Sequence, residues 1–149
     1  MSGSQGSGGE TGDSGTGGTG GGVELPELTL LGRTVGPGES TTLEFFPVDA
    51  PVRVTFRTQE LQALCPAVAG IQPDLYSAEI SYTAQTHAVE SKSLKLWLVG
   101  FRDRRIFAEH LVVELHDHLA AYAPALSDVR VRLEQQVRGG IVTVVEHPV

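Results

Sequence analysis

The hydrophobic positions of this chain fall into four alternating runs and two helical stripes. In Pro51 to Arg57, Val52, Val54 and Phe56 share one face, the period of two that marks a strand. Leu61 to Leu64 then lead into Cys65-Pro66, where proline breaks any regular element. Leu75 to Thr83 alternates again, with Tyr76, Ala78, Ile80 and Tyr82 on one side, and predicts a second strand antiparallel to the first. A polar connection at Gln85 to Ala88 follows. From Val89 to Arg102 the period changes. Leu94, Trp97, Leu98 and Phe101 stand at i, i+3, i+4 and i+7, one stripe of a helix, with Ser91 as its expected N-cap. Arg102 to Arg105 turns the chain. Leu111, Leu115, Leu119 and Tyr122 give a second helix over about Phe107 to Tyr122, ended by Pro124. Val129, Val131 and Leu133 alternate in a third strand, Gly139-Gly140 offers a hairpin turn, and Ile141 to Val145 is the last strand. The order ββααββ predicts an α+β fold: an antiparallel four-stranded sheet with two helices on one face.

Composition divides the chain. Residues 1–22 hold eleven glycines and no apolar residue after Met1, so they cannot bury enough to offset their ordering entropy and are expected to form a disordered tail. The tail lacks the basic start and apolar middle of a signal peptide. Residues 23–50, with the turn-rich Gly36-Pro37-Gly38 and a short apolar stretch at Leu43 to Phe46, are expected to be an arm packed on the domain or on a neighbour. Residues 51–149 form the domain proper. No stretch approaches the run of about 20 apolar residues needed to span a bilayer, so no membrane association is expected. A single cysteine excludes an intramolecular disulfide and a cysteine-rich zinc site, and points to the reducing cytoplasm.

The net charge is −7, or −5 without the tail's Glu10 and Asp13. An acidic domain has no electrostatic footprint for nucleic acid. Positive charge is local: Lys92, Lys95, Arg102, Arg104 and Arg105 crowd into fourteen residues. That suits a small anionic ligand better than a polymer, although spacing alone fits a solvated basic helix face as well. Cys65 sits in a Pro- and Gly-containing loop, where function concentrates; it attacks only as thiolate and needs positive charge or a base beside it. Spacing alone fits a small buried apolar residue too. His110, Glu114 and His118 at i, i+4 and i+8 mimic a metal-binding face without an HExxH pattern. No metal is expected there, and His116 and His118 are expected on the solvated helix surface.

The run Glu90-Ser91-Lys92-Ser93-Leu94-Lys95-Leu96-Trp97 resembles the signature E-[SL]-K-[SA]-apolar-K-[LY]-[YFW] of the reductases that turn the nitrile of 7-cyano-7-deazaguanine (preQ0) into the aminomethyl group of preQ1 for queuosine in tRNA. Every position is met, and the resemblance extends through Phe101-Arg102, Phe107 and Arg138-Gly139-Gly140-Ile141, over roughly residues 50 to 145. It implies the tunnelling fold, whose members oligomerise to close several sheets into a barrel, with active sites at the interfaces of a homo-oligomer. It implies Cys65 as the nucleophile that forms a covalent thioimide and Asp74 as the proton donor. Glu109 would hold the deazapurine edge, Val89, Glu90, Ser91 and Ala108 would line the substrate pocket, and Lys92 and Lys95 would meet NADPH. The chain departs from the family pattern twice. Asp74 follows Cys65 by nine positions instead of seven, and Ala108 replaces a histidine in Phe107-Ala108-Glu109. A sister enzyme that transfers nitrogen to the thioimide, and a non-catalytic deazapurine binder, are the alternatives.

Overall fold

A computed structural model describes Leu25 and residues 42–67 and 73–149. The glycine-rich tail and most of the arm lie outside the described residues, as does the middle of the loop between Cys65 and Asp74. The elements are β1 (Phe45–Pro47), β2 (Val52–Leu64), β3 (Pro73–Ala84), β4 (His87–Val89), α1 (Ser91–Val99), α2 (Ala108–Ala120), β5 (Leu126–Arg138) and β6 (Ile141–His147). The main sheet is antiparallel throughout, in the order β2-β3-β5-β6. Its registered positions Phe56, Ile80 and Val131 show how the alternating apolar residues share one face. Both helices cover that face. Leu94 and Leu98 of α1, with Leu111, Leu115 and Leu119 of α2, close a single core over Tyr76, Ala78, Ile80, Tyr82, Val131 and Leu133. The opposite face carries ion pairs, Arg57 with Glu79 and Arg132 with Glu146 across neighbouring strands and Arg132 with Glu134 along β5.

Several boundaries differ from the pattern, each for a local reason. β2 runs on to Leu64 because a bulge between Thr58 and Leu61 restores Leu61 and Ala63 to the inner face; the Thr58 hydroxyl accepts the Glu60 N–H there at 3.1 Å. The connection at Gln85 to Ala88 includes β4, which pairs with β1 of the arm, and Leu43 and Phe45 are buried against the domain. The helix α1 stops at Val99 before Phe101, whose ring is buried from the following turn, 5.5 Å from Trp97 edge to face. Its N-cap is Glu90, not Ser91: Glu90 is extended, and its carboxylate takes the N–H groups of Lys92 and Ser93.

His116 and His118 of α2 are half-buried and not the solvated surface groups expected. His118 stacks on Trp97 at 4.8 Å, its Nε2 is buried without a partner among the described residues, and burial holds its imidazole below the usual pKa against the pull of Glu114. Glu114 itself pairs with Arg104. At the β5–β6 hairpin Gly139 and Gly140 both take positive φ, 58° and 83°, the conformation a two-residue turn between twisted strands requires.

Candidate active site

Pairing of β2 with β3 sets Leu64 opposite Pro73 and Ala63 opposite Asp74. Cys65 therefore follows the last paired residue of one strand while Asp74 opens the other, at the same end of the sheet. Asp74 is 7 % exposed and shares the inner face with Tyr76, two positions on. The turn between the helices braces this end. The Leu64 N–H bonds the Arg104 carbonyl at 2.8 Å, the Ile106 N–H bonds the Leu64 carbonyl at 3.1 Å, and the Arg105 guanidinium donates to the Cys65 carbonyl at 3.1 Å. One strand-like stretch thus fixes the cysteine backbone and delivers Ala108 and Glu109 to the first turn of α2.

Tyr76 reports the convergence. Its phenol is pushed well above the ordinary range, first by burial and then by the negative charges of Asp74, Cys65 and Glu109, with Arg138 acting in the opposite sense. Arg138, the last residue of β5, stands 3.7 Å from the Asp74 carboxylate and donates to the Pro73 carbonyl. Thiol, two carboxyls, phenol and guanidinium thus share one neighbourhood. Ala108 is buried, and His110 is exposed beside the Phe107 ring.

The other expected residues sit at the far end of β3. Val89 is buried, and its N–H bonds the Tyr82 hydroxyl at 2.9 Å. Glu90 is buried too. Its Oε1 accepts the Lys92 N–H at 2.9 Å and its Oε2 the Ser93 N–H at 2.8 Å. The Ser93 hydroxyl donates to the Glu90 carbonyl at 2.7 Å and accepts the Glu44 N–H at 3.0 Å. Within the chain, Val89 and Glu90 hold the start of α1. Ser91 is exposed, and Lys95 reaches outward to Glu60 at 4.0 Å with both side chains in solvent.

A groove of about 480 Å³ lies between α1 and β2. Ser91, Leu94, Lys95, Leu98 and Val99 form one wall; Phe56 to Leu61 of β2, with Ala78 and Ile80, form the other side. It ends at Leu61, which is registered against Tyr76. Cys65 and Asp74 do not line it; they lie just beyond. Sequence reasoning overlooked Tyr76 and Arg138 as members of this neighbourhood. The spacing of Asp74 and Tyr76 on one strand was a signal for the first, since i and i+2 share a face. Arg138 could be placed only by the register of the hairpin.

The model of a family described as "QueF-like protein" matches residues 73–148. An NADPH-dependent 7-cyano-7-deazaguanine reductase of Syntrophus aciditrophicus is 42% identical over 127 residues, which cover 83% of this chain and 86% of that protein. Enzymes of the same name from Frankia casuarinae and Alkalilimnicola ehrlichii are 37% and 38% identical, covering 76% and 71% of this chain and 89% and 82% of theirs. Among solved structures, an archaeosine synthase QueF-Like in the apo form superposes with a TM-score of 0.54 at 21% identity, over 66% of this chain and 92% of that one; at that identity the likeness concerns the fold.

Proposed function

We propose a function from one premise: the chain belongs to the QueF-like protein family. The function is reduction of the nitrile of 7-cyano-7-deazaguanine to the primary amine by NADPH, the reaction in the names of relatives up to 42% identical. The observation that carries it to these residues is the pairing of Ala63 with Asp74, which brings Cys65 and a buried carboxyl to one end of the sheet.

In this reading the Cys65 sulfur adds to the nitrile carbon, and a proton passed through Asp74 reaches the nitrile nitrogen. The product of that step is a thioimide, with no change in electron count. NADPH supplies hydride, and two deliveries account for the four electrons between nitrile and amine. Each is matched by a proton, for which Asp74 is the relay. Between the two, the C–S bond breaks and its electron pair leaves with sulfur, so Cys65 returns as thiolate and the carbon becomes an imine. Arg105 holds the cysteine backbone while this bond forms and breaks. Glu109, exposed at the first turn of α2, offers two oxygens to adjacent N–H donors of a purine-like edge. Tyr76, protonated throughout, is a hydrogen-bond donor between these groups. The groove beside Lys95 fits a reduced nucleotide in its chemistry: an apolar floor from Phe56, Leu94 and Leu98, and an ammonium at the rim for phosphate. Lys92 stands one turn earlier on the same helix. Completion of the site by a second copy and a cytoplasmic setting accompany this reading.

Incubating the protein with preQ0 tests the first step: intact mass should show a covalent adduct that is absent in Cys65→Ala. Adding NADPH should then consume the adduct and the cofactor's absorbance together. An adduct that never oxidises NADPH would favour the nitrogen-transferring sister reaction, for which the longer Cys65–Asp74 loop and Ala108 are the features to weigh. Binding without an adduct would favour a non-catalytic deazapurine binder.

A further inference from the structure

At the opposite end of β6 from the hairpin, donor atoms of His116, Asp117 and His147 lie within 4.8 Å of one another. They come from two elements. His116 and Asp117 are on α2, and His147 is the last residue of β6, held in place by its pairing with Val131. The side chain of His116 is only 16% exposed, and its Nδ1 lies 2.8 Å from an Asp117 carboxylate oxygen. The two imidazoles meet edge to face with centroids 4.5 Å apart. None of the three takes part in the proposed chemistry.

We propose that this cluster is a binding site for a divalent transition metal, of which zinc is the best match. Two imidazoles and one carboxylate are a donor set that zinc accepts, with a fourth position left for water. Zinc–ligand bonds of about 2.0–2.1 Å place neighbouring donors roughly 3.3 Å apart in a tetrahedron. The cluster needs a contraction of about 1.5 Å at most, within reach of side-chain torsions because Asp117 is largely solvent-exposed. The metal replaces the proton shared by His116 Nδ1 and Asp117. His116 then carries its hydrogen on Nε2 and stays neutral, and His147 binds through an unprotonated ring nitrogen. Its effect is mechanical: it ties α2 to the end of the sheet's edge strand, which pairs with β5 and packs against α2.

The test is zinc titration of the metal-free full-length protein by calorimetry, with thermal melting beside it. One zinc per chain is expected, with a dissociation constant on the order of micromolar or tighter and a melting temperature several degrees higher in saturating zinc. His147→Ala and His116→Ala should each weaken binding at least about tenfold and abolish the thermal shift, while Cys65→Ser should leave both unchanged. Cobalt should give the visible bands of nitrogen and oxygen ligation without a thiolate charge-transfer band. Binding that survives either histidine variant, that disappears in Cys65→Ser, or that is absent at about a hundred times the expected constant would overturn the proposal. The histidines would then be a packing contact with a hydrogen bond to Asp117.

Discussion

The two ends of β3 each hold a tyrosine on the inner face and a buried carboxyl group nearby, yet they are built to different ends. At the Tyr82 end every named polar group is spent on backbone. The Tyr82 hydroxyl takes the Val89 N–H, Glu90 takes the Lys92 and Ser93 N–H groups of α1, and Ser93 ties Glu90 to Glu44. At the Tyr76 end the groups face each other. Asp74, Cys65 and Glu109 bring like charges toward one phenol, and their one cationic neighbour among the groups acting on that phenol is Arg138. A buried polar group that saturates backbone donors contributes to folding. Titratable groups gathered around one buried phenol are the arrangement that proton-handling sites use.

The contrast breaks or holds first on Cys65. Cys65→Ala should lower turnover by about a thousandfold or more with the melting temperature within about 2 °C of the native protein. A large loss of stability would make the cysteine a packing residue instead. Glu90→Ala should show the converse. Losing the cap of α1 should cost about 1–2 kcal/mol, a drop of roughly 3–8 °C for a chain of this size. A Glu90→Ala protein of native stability that no longer binds preQ0 would show that the carboxylate works on substrate and that the cap is incidental.

How much of this was legible in the sequence depends on the range of the interaction that fixes each feature. The six main elements follow from periods of two and 3.6 because each buries one face, and the two glycines of the hairpin announce its turn. Glu90 as cap was missed in favour of Ser91 because short hydroxyl side chains are the commoner caps, and only the backbone at position 90 decides between them. β4 looks like a polar connection in the sequence because its partner, β1, is forty residues away in the arm. Cys65 and Asp74 were singled out by type and by resemblance, but their meeting follows from register across the β2–β3 pair. Arg138 enters the neighbourhood by the same long-range pairing, and nothing near it in the chain points to Asp74.

Lys95 tests the groove between α1 and β2. If the ammonium meets cofactor phosphate, Lys95→Ala should raise KM for NADPH about tenfold with kcat nearly unchanged, since uniform binding is what is lost. A fall in kcat at constant KM would move the nucleotide elsewhere.

The smallest effects separate the tyrosines themselves. Tyr82→Phe removes the acceptor of a buried N–H and should cost about 1 kcal/mol, roughly fivefold in the folding equilibrium. Tyr76→Phe should leave stability close to native and lower turnover by about fivefold, with a changed pH profile. Alkaline titration adds a sign. The fold raises the Tyr82 phenol from the ordinary 10.0 to about 12, chiefly by burial, so folding favours its neutral form. That contribution is intact below pH 10 and is lost as pH rises toward 12. The Tyr76 and Tyr122 phenols are shifted in the same direction, and the chain has three tyrosines. Tyrosinate absorbance should therefore stay low past pH 10 and rise together with loss of structure. In Tyr82→Phe the decline in stability above pH 10 should be shallower than in the native protein. A tyrosinate signal that titrates near 10 with structure intact would mean that one of these phenols meets water, and the match between the two ends of β3 would fail at that residue.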